Sequence, residues 1–275
     1  MKIYFFDKLR LVFSAYTVLT KLPSFKKMVS IFFRPFDAPR YYEFSYLQKF
    51  IKKHNLRNTY ILDVSSPYMM AYILSKDNTV VKTDIDSSEK KFIQESKTLT
   101  FSIEDATRLS FEDDTFDFVY SVSVIEHIYE KYIEAIKEMI RVTKRHGYVY
   151  ITFPVSKQFQ EEWVDGNVYE KQHKKDGKTF FQYRFDDMHV RSIIAGIESC
   201  PVKILHKDIF WEQNDGAYDT LIKGVTRQIG NTYLTFIKNI LINCWYGLTL
   251  FSGKPLHDFS HATACGNMHI IIQKT

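Results

Sequence analysis

The sequence predicts a three-layer α/β domain built on a mostly parallel sheet. Two observations point there. Short apolar runs such as "YILDV" (60–64) and "FDFVYSVS" (116–123) read as strands covered on both faces. They alternate with segments whose apolar residues recur at helical spacing. The chain has 275 residues, of which 45% are apolar and 25% charged, so a sizeable core can form.

Taken in order, residues 40–54 place Tyr42, Tyr46 and Phe50 at helical spacing beside Leu47 and Ile51. The strand 60–64 follows, then a helix over 67–76 and a strand over 79–84. Residues 87–96 start like a helix, with Asp86 or Ser87 as cap. Strands are expected at 99–103 and 116–123. The clearest helix comes next, with Ile128, Tyr132, Ile136, Met139 and Ile140 on one stripe. Lys144, Arg145 and His146 suit its last turn and Gly147 its stop. A strand over 148–155, a helix near 186–198, a strand near 202–210 and the closing strand "NMHIIIQK" complete the pattern. Residues 1–40 form an N-terminal helical extension. Residues 213–265 form a helical insertion in the domain that spans 41–275, strongly apolar in its second half.

Glycine usage excludes much. There are 10, and the first is Gly147. No glycine-rich phosphate loop or standard dinucleotide fingerprint exists in the first half, which disfavours a nicotinamide oxidoreductase. The turn after the first strand, in "ILDVSSPYMM" (61–70), holds Ser65, Ser66 and Pro67 where such domains use glycine. Ser66 reads as a helix N-cap and Pro67 as the first helical residue. Without glycine the turn is expected to avoid positive φ and take a different path. Cys200, Cys244 and Cys265 are scattered and make no CxxC, so neither a disulfide framework nor a zinc site is indicated. A reducing, cytoplasmic setting is expected. The net charge of +5 reads as mild and spread along the chain, and no nucleic-acid partner is expected. The N-terminal apolar run is broken by Lys2, Asp7, Lys8 and Arg10, too short to span a bilayer and without a clear small-residue cleavage site.

Several pieces then line up. Asp84 ends the second strand 21 residues after Asp63 of "ILDV". "EDATRLSFEDDTFDFVYSVSVIEHI" (104–128) and "EMIRVTKRHGYVYITFPV" (138–155) follow. This order resembles the class I S-adenosylmethionine-dependent methyltransferases, in particular the type 11 group, over roughly 58–155. The resemblance implies a Rossmann-like, seven-stranded sheet whose last strand runs antiparallel. It also implies S-adenosylmethionine as cofactor, lying across the carboxyl ends of the first strands. Asp84 would then accept from the ribose hydroxyls, and Ile85 would pack on the adenine. Asp105 and Ala106 would hold the adenine edge. Ser121 and Ser65 would line the methionine side, with Asp63 placing the ammonium through the turn. Asp63 has a competing role, capping that turn, and Asp117 is expected to fix backbone geometry.

Methyl transfer needs alignment, exclusion of water and, for a hydroxyl acceptor, deprotonation. No metal is required and no metal cluster is evident. His127 is the candidate general base, with Glu126 beside it; the competing role for this pair is to organise the helix start by hydrogen bonding. His173, Tyr183 and Arg184 follow the fifth strand, where an acceptor would be covered, and Arg184 could hold an anionic acceptor bidentately. Residues 171–178 are expected to be a solvated loop. Residues 239–253 carry no charge and include Trp245, Tyr246 and Phe251, with Arg227, Lys238 and Lys254 around them. They read either as a lid helix or as an interfacial helix, over 233–253, that meets a membrane or a lipid-linked acceptor. The expected activity is methyl transfer to an oxygen or nitrogen of a small molecule, with a sugar or lipid-linked glycan suggested by fold analogy alone. The competing function is a methyltransferase-like binding subunit without catalysis.

Overall fold

The computed structural model describes residues 1–168, 173–226 and 233–275, without the side chains of 222–226 and 233–237. The first five strands of the central sheet are β1 (Tyr60–Val64), β2 (Thr79–Asp84), β3 (Leu99–Ile103), β4 (Phe116–Val122) and β5 (Thr143–Val155). A second, small sheet follows, made of β6 (Gln160–Val164), β7 (Lys174–Lys175) and β8 (Lys178–Arg184). The long strands β9 (Val202–Trp211) and β10 (Gly266–Lys274) return to the main sheet. Its order is β3-β2-β1-β4-β5-β10-β9. β1 to β5 pair in parallel, and β10 is antiparallel to both its neighbours. This is the seven-stranded sheet with an antiparallel last strand that the resemblance implied.

The sheet is covered on both faces, as the unbroken apolar strands require. The helices are α1 (Phe5–Tyr16), α2 (Phe25–Phe33), α3 (Ala38–Lys53), α4 (Met69–Leu74), α5 (Tyr132–Val142), α6 (Asp187–Glu198), α7 (Ala217–Thr226) and α8 (Tyr233–Thr249). Tyr42, Tyr46 and Phe50 of α3 pack with α1 and α4 on the face that carries Phe118, Tyr120 and Tyr150. Ile136, Met139 and Ile140 of α5 and Ile193 of α6 cover the opposite face at Val119, Val149 and Ile151. Neighbouring residues of β4 thus serve opposite layers, the period of two that a strand imposes. Each large side chain buried this way contributes about 1.5–3 kcal/mol of transfer free energy.

Three local expectations differ from the structure. The helix at 67–76 is only the six residues of α4, and Ser66 is not its cap: the N-cap position is Tyr68, in the right-handed helical region. The helix before β5 ends at Val142, so Lys144, Arg145 and His146 lie in β5 and Gly147 stops nothing. The cause is a bulge: the β4–β5 register jumps between Phe116 and Phe118, and His146 takes φ 65° to absorb it. A Cβ on Gly147 would stand 2.8 Å from the carbonyl of Asp117, which explains glycine there. Asp117 itself accepts from Tyr60 N at 2.8 Å and pairs with Lys144 at 2.7 Å, so it joins three strands. Third, within 171–178 the chain makes a hairpin, β7–Asp176–Gly177–β8, where a loop was expected; residues 171–172 lie outside the described residues. Arg227 and the rest of 227–232 also lie outside them. Among the described residues, no helix is long and apolar enough to cross a membrane.

Candidate active site

The carboxyl ends of β1 to β4 open into one cavity of about 530 Å³. That volume suits a small organic ligand, and the place is where sheets of this kind bind one. Four segments wall it: Ser65–Pro67 after β1, Asp84–Asp86 with Glu89 after β2, Asp105–Thr107 after β3, and Ser123–Val124 with His127 to Tyr129 after β4. Val168, His173 and Phe180 close it from the side of the small sheet.

The turn after β1 is held from below. Asp63 is fully buried; its Oδ1 accepts from Ser66 N at 2.9 Å and its Oδ2 from Tyr120 Oη at 2.6 Å. Ser66 Oγ accepts from Val122 N at 3.0 Å, which ties the turn to β4. Ser65 N donates to Thr83 O at 3.0 Å, and the residue sits at φ 55°. The turn therefore keeps the left-handed residue that glycine would supply, with serine in its place, and does not take the different path expected of it. Asp63 builds this turn from inside the sheet and does not line the cavity. Ser121 is also fully buried, donating to Val64 O at 3.0 Å. The cavity-lining serine of β4's end is Ser123, at φ 49°, because the strand runs one residue beyond Ser121 before it turns.

Asp84 reaches the cavity with its carboxylate partly preoccupied. Its Oδ1 accepts from Asp86 N at 3.0 Å and its Oδ2 stands 3.7 Å from the ammonium of Lys82. Lys82 is buried, donates to Thr83 O at 2.7 Å and stands 3.9 Å from Asp63, so one cation serves two carboxylates. Burial raises the Asp84 carboxyl above its ordinary range, and Lys82 works against that rise. Asp105 is presented by a tight turn in which Thr107 N and Oγ1 both donate to its Oδ1, at 2.9 and 2.7 Å. Glu104 braces the same loop by accepting from Ser110 N at 2.9 Å. Ile85 and Ala106 supply apolar wall beside these acids.

His127 lies in the cavity wall. Its Nδ1 is 2.6 Å from Phe181 O, and a carbonyl only accepts, so Nδ1 carries the proton and Nε2 is the acceptor nitrogen. Burial depresses its pKa to about 4. Glu126 does not line the cavity: it points into a buried cluster with Arg40 and Glu43, and its Oε2 makes no hydrogen bond. Burial pushes its carboxyl up to about 8. Its Oε1 is 3.8 Å from His127 Nε2. His127 thus ties the turn 125–127 to β8 through Phe181 O and places an imidazole in the cavity wall, while Glu126 faces the buried cluster.

Tyr183 and Arg184 lie away from the cavity. Tyr183 is buried among Tyr129, Phe180 and Phe185, with its hydroxyl accepting from Glu130 N at 3.3 Å. Arg184 is buried and ion-paired with Glu162 at 2.6 Å and Asp219 at 2.8 Å, so it joins the small sheet to α7. Its guanidinium is held by these ion pairs and does not line the cavity. Of β8, Phe180 near the hairpin reaches the cavity, while Tyr183 and Arg184 at its far end pack within the fold. Pro67, Glu89, Thr107, Ser123, Tyr129 and Phe180 line the site without having been singled out; their shared signal is a position just past a strand end or on the hairpin marked by "DG". Among the described residues no group of three or more His, Cys, Asp or Glu could hold a metal ion.

The cavity's donor set fits an adenosyl ligand: carboxylates on adjacent strand ends, an apolar wall between them, and a strand–helix turn at the far side. Residues 63–151 match a family described as a methyltransferase domain. An uncharacterized protein of Methanocaldococcus jannaschii is 30% identical over 97 residues, which cover 35% of this chain and 41% of that one. The chain therefore spans about two fifths of the length of the curated relative it matches. A candidate sarcosine dimethylglycine methyltransferase from Galdieria sulphuraria superposes with a TM-score of 0.52 at 14% identity over 84% of each chain. Coclaurine N-methyltransferase bound to N-methylheliamine and SAH superposes with a TM-score of 0.51 at 15% identity, covering 84% of this chain and 70% of that one. The chain has the Rossmann-like fold that these methyltransferases share, and its residues 63–151 are similar to the methyltransferase-domain family.

Proposed function

We propose that this protein transfers a methyl group from S-adenosylmethionine to an oxygen or nitrogen of a small molecule. The observation that supports this best is the convergence of Asp84, Asp105 and the Ser65 turn on one cavity at the carboxyl ends of adjacent strands. Asp84 and Asp105 are the residues that would hold the adenosyl diol and amino group, with Ile85 and Ala106 against the base. Ser65 and Ser123, whose own backbone N–H groups are bonded to Thr83 O and Thr152 O, line the cavity where the methionine end would lie. The cofactor, when bound, supplies a methyl group already activated by its sulfonium charge. What remains for the chain is to orient the acceptor, exclude water and remove a proton. The aromatic wall of Tyr129 and Phe180 excludes water. His127, with a pKa near 4, is neutral across the working range and a weak base. Its role is to accept a hydrogen bond from the acceptor and orient it.

The glycine-free turn favours a second reading, a binding subunit without catalysis. The positive φ of Ser65 argues against it, because the backbone shape that glycine would give is retained. Calorimetric titration with S-adenosylmethionine tests the proposal directly. Binding is expected at micromolar cofactor, and S-adenosylhomocysteine should accompany the purified protein in its mass spectrum. Absence of both heat and thermal shift at millimolar cofactor would remove the proposal.

A further inference from the structure

The net positive charge is not spread along the chain as expected; it is concentrated at the N-terminus. Of its 37 lysines and arginines and 32 acids, residues 1–36 hold seven and one. The rest of the chain carries one more acid than base. The same segment exposes its aromatics. Phe6 and Phe13 of α1 are 75% and 66% exposed, and Phe25 of α2 is 75% exposed. Phe6, Arg10 and Phe13 share one outward stripe of α1, with Lys21 and Lys26 also exposed nearby in the chain. A buried core would never place phenylalanine and arginine together on its solvent side, and an ordinary solvated face would not carry so many aromatics.

α8 continues this face. Lys8 Nζ donates to Leu248 O at 2.7 Å, which fixes α1 beside the end of α8. Tyr16 stacks on Phe32 at 5.4 Å and lies near Cys244, so α1, α2 and α8 meet there. Leu241 and Trp245, one helical turn apart on α8, are 65% and 66% exposed.

We propose that α1, α2 and the outer stripe of α8 form a docking surface for an anionic lipid bilayer. A bilayer of this kind offers a negative surface for the basic groups and an apolar layer just beneath it for the aromatics. The three helices have 12, 9 and 17 residues and lie on the fold, so they rest in the headgroup layer and do not span it. The face adjoins the cavity. Lys27 of α2 sits 3.8 Å over the ring of Phe92, on which Tyr68 stacks at 5.4 Å, next to cavity residues Pro67 and Glu89. Docking would hold that side of the cavity against the membrane and offer it a lipid-borne acceptor. The acceptor class rests on the methyltransferase reading; the docking surface does not.

The test is sedimentation of the full chain with vesicles of phosphatidylcholine containing about one third phosphatidylglycerol, against phosphatidylcholine alone. Binding is expected to be at least about tenfold tighter to the anionic vesicles and to weaken with salt. Trp245 emission should shift to the blue on binding. The variant F6S/F13S/F25S and, separately, R10E/K21E/K26E should each lose about tenfold or more in affinity. The second set touches exposed side chains only, so an unchanged melting temperature certifies the fold. No association with anionic vesicles at low salt overturns the proposal, as does equal binding to both vesicle types. A chain that self-associates through these phenylalanines and ignores vesicles overturns it in favour of a second copy as occupant.

Discussion

Replacing Asp84 with asparagine keeps the volume of the side chain and removes its charge. Hydrogen bonds to a charged group are worth about 1.5–3 kcal/mol, and the amide keeps one acceptor oxygen, so the lower end applies. That lower end corresponds to about tenfold in affinity. The local structure sets a second cost. Lys82, with its ammonium buried, would keep only Asp63 at 3.9 Å and the carbonyl of Thr83 at 2.7 Å. Leaving a buried cation with a weaker partner set costs about 1–3 kcal/mol of stability. The two effects separate cleanly when melting temperature and calorimetric titration with S-adenosylhomocysteine are read on the same preparation. Folded Asp84→Asn protein should bind at least about tenfold more weakly. A pH series adds a check. The Asp84 carboxyl is held above its ordinary range by burial. Cofactor affinity of the wild type should therefore decline on acidification before ordinary carboxylates protonate, and the variant should lack this decline. An affinity within about twofold of wild type, on folded protein, would refute the assignment of Asp84 to the ligand.

Other outcomes follow from single residues. Ser65→Gly relieves a left-handed serine, worth about 1–2 kcal/mol, against about 0.5–1 kcal/mol of added unfolded-state entropy. The variant should melt slightly higher, and a clear loss of stability would show that the Ser65 side chain holds the turn. Glu126→Gln removes a buried carboxyl with a folded pKa near 8 against an ordinary value of 4.5. The folded state then binds the extra proton between those values, so wild-type stability is full below about pH 4.5 and falls as pH rises to about 8. At roughly 1.4 kcal/mol per unit the loss reaches a few kcal/mol, and the variant's melting temperature should overtake wild type in alkaline buffer. Parallel curves would show Glu126 ionised throughout. For His127, a pKa near 4 means that kcat/KM should stay level down to about pH 5; a fall centred on 6.5 would restore it as an ordinary base. Gly247→Ala puts a Cβ 2.5 Å from the ring of Tyr41 and should loosen α8 from α3, costing about 1–3 kcal/mol in a chemical melt.

The sheet could be read from the sequence because strands buried on both faces are predominantly apolar, and β1, β4 and β10 are, with Asp63, Ser121 and His269 among the buried polar exceptions. The small sheet could not, because β6 and β8 cover only one side and mix polar with aromatic residues. Its one strong local signal, the Asp176–Gly177 pair, lies in a lysine-rich stretch that resembles a solvated loop; both residues take positive φ, as a tight hairpin turn demands. The site divides in the same way. Asp84 is the last residue of β2, and Ile85, Asp105 and Ala106 stand just past strand ends, where the backbone turns and side chains are released towards the cavity. Asp63 and Ser121 lie inside their strands, and a strand gives its residues to the layers above and below, not to its end. That distinction needs the last residue of each strand, which sequence patterns locate least well. Ser65 shows the complementary limit. Its residue type argued for a rerouted turn, but Asp63, Ser66 and Thr83 fix the backbone on both sides of it. Three hydrogen bonds together outweigh the cost of one strained serine, and φ follows from the bonds. The absence of glycine in this half of the chain therefore rules out a phosphate loop, where the backbone itself must touch the ligand, yet leaves intact a turn whose shape is set from beneath.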